Sequence, residues 1–251
     1  MSDSFRFFTS APLESPAGRI ATDLESLRAG IATVAPEAIF HHVTRICVRF
    51  AHVRDLPEND FARWVGEALQ LPEVSERLAF VGSLPAATLE ELRAALLAVL
   101  DRVPDRDRRR SSSEGAAFHF LEARSVYADL GIEATDPIEV VELWPMLDDG
   151  ATFLHLVEAP VFGRTDFALI PWLRVRGARA LADSAAKAVA AGPPVARLHR
   201  EIGTRWRRSM LGRRLVARLE SADEVRVREA RETMARFAEK LKGSKSGEGK
   251  K

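Results

Sequence analysis

The chain has 251 residues, of which 46% are hydrophobic and 29% charged, a composition typical of a folded protein with a sizeable apolar core. Its 37 Lys and Arg residues nearly balance 36 Asp and Glu residues, which excludes a general polyanion-binding protein. A single cysteine, Cys47, excludes an internal disulfide and favours a reducing cytoplasm. The N-terminal sequence lacks a signal-peptide pattern, and the apolar run "AALLAVL" is far shorter than the roughly 20 residues of a membrane span. We therefore expect a soluble cytoplasmic protein.

In chain order, the first predicted element is a short strand, "FRFFTS", in which aromatic residues alternate with other residues. Helical spacing of apolar residues follows in "DLESLRAGIATV", "APEAIFHHVTRICVRF", "NDFARWVGEALQL", "LPEVSERLAFVG" and "TLEELRAALLAVL". We assign residues 1–104 to this helical unit with its leading strand. The charged, serine-rich segment 105–116 is predicted to be a linker.

A second unit over 117–194 is predicted to repeat this order, with a strand in "FHFLEARS" and helices in "DPIEVVELWPML", "ATFLHLVEAPVF", "TDFALIPWLRV" and "ARALADSAAKAVA". Residues 195–242 then predict long amphipathic helices, and the lysine- and glycine-rich end, 243–251, is predicted to be disordered. An apolar stripe predicts that 196–219 docks on the second unit. We expect 226–242 to project or to pack weakly, and therefore to be the element that binds a partner.

The two units are related by an internal repeat at an offset of 113 residues, which is the separation of Phe5 and Phe118 (118 − 5 = 113). The tripeptide "ATD" occurs at 21–23 and again at 134–136, at the same offset and without a gap. We interpret the stretches as two copies of one unit, the second more diverged than the first. The matched pairs are Phe5/Phe118, Phe7/Phe120, Gly18/Gly131, Ala38/Ala151, Phe40/Phe153 and His42/His155.

The predicted fold class is mainly α: a pseudo-symmetric tandem of two helical units, each led by a short β-strand, plus a long C-terminal helical extension. Because an isolated strand leaves its backbone groups unpaired, we expect strands 5–9 and 118–122 to pair with each other. We also expect residues 5–42 to superpose on 118–155.

Several motifs in order along the first unit resemble a bacterial family known as a domain of unknown function (domain of unknown function 5752). They are F-x-F, G-x-x-A/T, "LESL", "AIFHH", "NDFARW" and "LEELR". The resemblance covers about residues 5–103, and the second copy is a weaker echo of it. It implies a recurring bacterial module and implies no activity.

The repeated histidines His42 and His155 are the sharpest candidates for a functional site. Two such side chains, brought together by a pseudo-two-fold axis and joined by carboxylates, could hold a divalent metal. The usual spacings of metal-binding histidines are absent, however, and a core histidine bonded to the backbone explains the repeat equally simply. We favour packing over metal binding. Asp60 and Asp166 also recur, each just before an apolar helical run, and we interpret both as helix caps.

Arginines along the predicted C-terminal helix form the remaining candidate, a surface for an anionic partner such as phosphate, nucleic acid or an acidic protein. The alternative is a solvated helix face paired with acidic groups elsewhere, which the balanced total charge favours. The candidate residues are Arg205, Arg207, Arg208, Arg213 and Arg214.

The sequence favours a non-catalytic cytoplasmic interaction or regulatory protein, because no constellation of nucleophile, base and oxyanion donor is visible. Dinucleotide, phosphate-loop and nucleophile-elbow motifs are also missing, so no cofactor is predicted. We expect a protein partner or self-association through the C-terminal helices, and no membrane. The alternatives are a metal-dependent enzyme centred on the paired histidines and a nucleic-acid-associated protein that uses the arginine-rich helix.

Overall fold

The computed structural model describes residues 4–52, 58–83 and 88–210. The chain divides into two compact units, residues 1–204 and 205–251. In the first unit, helices from both halves of the sequence pack against one long ribbon of two strands. The described part of the second unit, 205–210, is helical. No described helix is both long enough and apolar enough to cross a membrane.

The ribbon consists of β1, Phe5–Ala21, and β2, Phe118–Ala134, each 17 residues long and paired antiparallel. The two predicted strands do pair with each other, but the expectation of short strands is wrong. Residues 5–9 do not lie opposite 118–122, because Phe5 faces Ala134 at one end of the ribbon and Ala21 faces Phe118 at the other.

Prolines in β1 explain why the sequence pattern breaks off before the strand ends. The amide of Phe8 points away from β2 and donates to a histidine outside the ladder. Along an antiparallel strand, backbone N–H groups point alternately toward the partner strand and away from it. The backbone nitrogens of residues 8, 10, 12, 14 and 16 therefore all point away from β2, which we call outward. Pro12 and Pro16 stand at outward positions, where the missing N–H costs the ladder nothing.

Two bulges interrupt the ribbon at positions related by the 113-residue offset. Between the pairs of Phe7 and Phe8, β2 contains Leu130 and Gly131, and β1 contains no intervening residue. In the other bulge, between Pro16 and Ile20, β1 contains three residues against one in β2. Gly18 and Gly131 take positive φ values of 70° and 66° there, a conformation that glycine adopts without strain.

Three helices of the first half, α1, α4 and α6, begin at a residue whose side chain caps them. Asp23 accepts a hydrogen bond from the amide of Ser26 at the start of α1, and Thr88 forms a capping box with Glu91 at the start of α6. Their bounds are α1, Leu24–Thr33; α2, Pro36–Val43; α3, Ile46–Arg49; α4, Asp60–Glu67; α5, Pro72–Ser83; α6, Leu89–Asp101; and α7, Asp105–Arg108.

Helices of the second half are shorter and less regular, because prolines divide them. Pro145 lies in a 3₁₀ turn and Pro160 follows a π-helical turn. The elements are α8, Pro137–Leu143; a 3₁₀ turn, Trp144–Met146; α9, Asp149–Phe153; a π-helix, Leu154–Glu158; α10, Ala159–Val161; a 3₁₀ turn, Thr165–Phe167; α11, Leu169–Val175; α12, Arg179–Ala190; and a further helical stretch over 195–204.

The two halves exchange their strands. Phe118 and Phe120 of β2 belong to the buried core formed by helices of the first half. Phe5 and Phe7 of β1 contact His155 of the second half, with ring centroids 5.1 and 5.5 Å apart. Each helical half is therefore completed by the strand of the other half.

The fold class is consequently mixed α/β, although helices predominate. The prediction of a mainly α tandem of two helical units is wrong, because a 17-residue ribbon joins both halves and neither keeps its own leading strand. The C-terminal extension predicted in the same fold lies largely outside the described residues, which end at 210.

Replacement of Gly30 by alanine tests how closely β2 approaches α1. A Cβ atom at Gly30 would lie 2.3 Å from Cζ of Phe120, so G30A should destabilise the protein by about 1–3 kcal/mol. The measurement is chemical denaturation. An unobstructed Gly→Ala change inside a helix stabilises by about 1 kcal/mol, so a stabilised G30A would contradict the close contact. In the matched control, the double variant G30A/F120L should recover part of the stability lost in G30A, because leucine removes the ring atoms that the added Cβ would meet.

Candidate functional site

His42, at the end of α2, connects the first half to β2. Its Nε2 accepts a hydrogen bond from the amide of Leu121 at 2.9 Å, and its Nδ1 lies 2.9 Å from Oδ2 of Asp60. A backbone N–H can only donate, so Nε2 is unprotonated and the ring proton sits on Nδ1, which donates to Asp60. The ring is packed between Phe61 and Phe118.

His155 forms the equivalent connection in the other direction. Its Nε2 accepts from the amide of Phe8 in β1 at 2.9 Å, and its Nδ1 donates to the carbonyl oxygen of Phe167 at 2.7 Å. The two amide donors, Phe8 and Leu121, are themselves 113 residues apart (121 − 8 = 113). Each histidine therefore fixes the strand of the other half at the equivalent residue.

Burial keeps both rings uncharged at neutral pH. It lowers the pKa of His155 to about 4, against the opposing effect of the backbone hydrogen bonds to Phe167 and Phe8. Burial also lowers the pKa of His42, although the hydrogen bond and negative charge of Asp60 oppose it. A neutral ring is the form that both sets of hydrogen bonds require.

Asp60 is the first residue of α4, and the side chain that caps this helix is Asn59, which accepts from the amide of Ala62. Besides His42, the buried Asp60 carboxylate binds Arg49 at 2.6 Å and Arg63 at 2.9 Å. Burial alone would raise the pKa of Asp60, but the hydrogen bonds from His42 and Arg49 outweigh it and lower the pKa.

Asp166, the second predicted cap, lies in the short 3₁₀ turn before α11. Among the described residues, no side chain caps that turn or α11. The neighbouring Phe167 supplies the carbonyl that holds His155. The two "DF" dipeptides, at 60–61 and 166–167, therefore share a role that the sequence did not reveal. Each provides the oxygen that accepts a hydrogen bond from the Nδ1 of a histidine.

The group formed by His41, His42 and Asp60 does not suit a metal ion, although its donor atoms lie close together. Nitrogen and oxygen atoms of His41, His42 and Asp60 all lie within 4.8 Å of one another, and both ring nitrogens of the buried His41 lack a hydrogen-bond partner among the described residues. A metal on Nδ1 of His42 would move the ring proton to Nε2, where it would meet the N–H of Leu121. Arg49 and Arg63 already neutralise Asp60, so a divalent cation would meet two like charges.

His155 does not belong to this group of potential ligands, because its Nδ1 binds a carbonyl oxygen and its Nε2 binds an amide. His42 and His155 pack in different aromatic clusters, the first on Phe61 and the second on Phe5. Within the described residues, the two histidines thus hold strands and do not form a shared metal centre.

A buried ion pair lies at the centre of the pseudo-symmetric arrangement. Arg45 Nη2 donates to Oε2 of Glu158 at 2.9 Å, and the two residues are 113 apart (158 − 45 = 113). Pro12 and Ser125, which face each other in the ribbon, are also 113 apart. Pairs of equivalent residues that contact each other mark the pseudo-two-fold axis. Phe40 and Phe153 form a third such pair, with ring centroids 5.8 Å apart.

Polar and aromatic groups complete the surroundings of this ion pair. Tyr127 donates to Oε1 of Glu158 at 2.9 Å, Arg45 also donates to the hydroxyl of Ser125, and its guanidinium lies 5.3 Å from the ring centroid of Phe153. Burial raises the pKa of Glu158 against the effects of Ser125 and Arg45. The sequence contains these opposite charges at the repeat offset, but a repeat is recognised by matching residues, and an arginine does not match a glutamate.

The predicted arginine surface is only partly within the described residues. Arg205, Arg207 and Arg208 belong to the second unit and are exposed. Arg213 and Arg214 lie outside the described residues, as do the predicted partner-binding residues 226–242.

An exposed apolar surface occupies the middle of the ribbon, on the face opposite the ion pair. In an antiparallel pair, two residues that lie opposite each other point to the same face of the sheet. Residues two positions further along either strand also point to that face. Leu13 faces Arg124, and Ala11 faces Val126, so these four side chains share one face, which we call the outer ribbon face. Leu13 is 63% and Val126 58% exposed, and their positions are 113 apart.

The pH dependence of stability tests the role of His155. Its pKa is about 6.5 in an unfolded chain and about 4 in the protein, so the unfolded chain takes up the proton first. The contribution of His155 to stability should be complete above about pH 6.5 and fall by about 3 kcal/mol as the pH drops to about 4. The lowered pKa values of His41, His42 and His199 add to the total loss of stability over this range. Denaturation at several pH values should show that the free energy of unfolding changes less with pH in H155Q, because the glutamine amide cannot titrate. An unchanged slope would contradict the burial of a neutral ring.

Exchange of the ion pair tests the pseudo-two-fold axis. R45E or E158R alone leaves two like charges buried together and should cost about 3–5 kcal/mol. The double variant R45E/E158R restores opposite charges across the axis and should be more stable than either single variant in denaturation experiments. A double variant whose loss equals the sum of the two single losses would show that the two positions are not coupled.

Comparison with known proteins identifies a family and a structural neighbour. The structure is similar to that of OrfY from Thermoproteus tenax, with a TM-score of 0.64 and 28% sequence identity over 80% of this chain and 93% of that chain. None of the curated proteins shows significant sequence similarity to this chain. The family model "Family of unknown function (DUF5752)" matches residues 2–202. The chain therefore belongs to this family of unknown function.

Proposed function

We propose that the protein is a non-catalytic interaction or regulatory protein, and that its outer ribbon face binds a protein partner. The observation that carries this proposal is the exposure of Leu13 and Val126 at equivalent positions, beside Ala11, on the face of the ribbon opposite the buried ion pair. Large apolar side chains clustered on one exposed face are typical of interaction sites. The partner surface proposed here differs from the C-terminal helices favoured by the sequence.

The chemistry of the His42–Asp60 pair supports a structural role. A histidine with its Nδ1 on a carboxylate resembles a general base, but the base atom Nε2 is occupied by the amide of Leu121. An amide N–H is not a proton donor that such a base can activate. Both oxygens of Asp60 are likewise engaged by Arg49 and Arg63 in addition to His42.

The two alternative functions receive less support. A metal-dependent enzyme centred on His42 and His155 would need the two rings at one site, and each is bonded to a different strand. A nucleic-acid-associated protein would use exposed arginines such as Arg205, but the balanced total charge of the chain does not favour it.

An internal duplication, a bacterial origin and a cytoplasmic location belong to the same proposal. Two strands of equal length, bulges at Gly18 and Gly131, and histidines that bind equivalent amides support the duplication. The single thiol, Cys47, supports a reducing compartment.

Site-specific photo-crosslinking in the native cell tests whether the outer ribbon face is a binding surface. A photoreactive side chain at Leu13 should give one discrete crosslinked product, because a bound protein covers that position. The same group at Val175, which is 67% exposed on α11, is the matched control and should give no such product. Equal labelling at both positions, or none at either, would contradict the proposed function.

A further inference from the structure

The outer ribbon face combines its apolar residues with one positive and one negative side chain. Glu122 and Arg124 lie two residues apart on β2 and therefore point to the same side as Leu13 and Val126. Neither charge forms an ion pair with any residue in the part of the chain that the structure describes. The face thus carries an apolar centre and two opposite charges without ionic partners.

This arrangement is complementary to itself. Residues two apart on a strand are separated by about 6.6 Å. A two-fold axis that lies between two copies packed face to face, parallel to both sheets and perpendicular to β2, and that passes midway between Glu122 and Arg124, places the Arg124 of one copy against the Glu122 of the other. The same operation forms this ion pair twice and brings the apolar residues around Leu13 together.

We infer that the partner of the outer ribbon face is a second copy of this chain, which forms a two-fold symmetric dimer. The inference rests on the proposed function and specifies its partner. A different protein with an acidic or a basic surface would match only one of the two charges, whereas a second copy matches both. The surrounding exposed Ala11 and Val126 extend the apolar contact beyond the charge pairs.

Charge exchange in the full-length chain tests this dimer by analytical ultracentrifugation over a range of protein concentrations. R124E or E122R alone places like charges together twice and should weaken dimerisation on the order of a hundredfold. The double variant E122R/R124E restores both ion pairs and should dimerise as the unmodified chain does. L13E should give a monomer, and V175E should not change the dimer.

Thermal unfolding of each variant verifies that a monomeric product is folded. A monomer at every concentration of the unmodified chain, or a dimer that L13E leaves intact, would overturn the second-copy inference. A double variant that stays as weak as the single variants would overturn the assigned charge pairing. The crosslinking experiment distinguishes the two proposals: a product with a different protein contradicts this dimer and supports the proposed function, whereas no product contradicts both.

Discussion

Two hydrogen bonds from strand amides to buried histidines hold each half of the protein to the strand of the other half. The amide of Leu121 donates to His42, and the amide of Phe8 donates to His155. These bonds satisfy amides that point away from the partner strand, at the place where each strand packs into the helical core of the other half. Both rings must stay neutral for this, and burial ensures that they do. The arrangement joins the ribbon to both helical cores by hydrogen bonds.

The pseudo-two-fold axis explains why opposite charges are buried at the centre. Two identical residues at the positions of Arg45 and Glu158 would face each other across the axis, and identical charges there would repel. An arginine and a glutamate remove that repulsion and make the two halves different. The arginine of the first half can pair with the glutamate of the second half, whereas two first halves or two second halves would bring like charges together. The ion pair therefore favours association between unlike halves.

Much of the helical structure could be predicted from apolar spacing and capping residues such as Asp23 and Thr88. The repeat offset also pointed to His42 and His155. The strand exchange could not be predicted, because periodicity describes each segment alone and contains no information about which core a strand enters. A proline inside a strand removes an N–H from the ladder, and Pro12 is acceptable only because its nitrogen points away from β2, which is a property of the paired ribbon.

Nitrogen NMR of the imidazole rings tests the strand exchange most directly. The account predicts that at neutral pH both His42 and His155 have a protonated Nδ1 and an unprotonated Nε2. It further predicts scalar couplings through the hydrogen bonds, from the amide of Leu121 to His42 and from the amide of Phe8 to His155. A protonated Nε2 in either ring, or a coupling of His42 to Phe8 in its own half, would contradict the exchange.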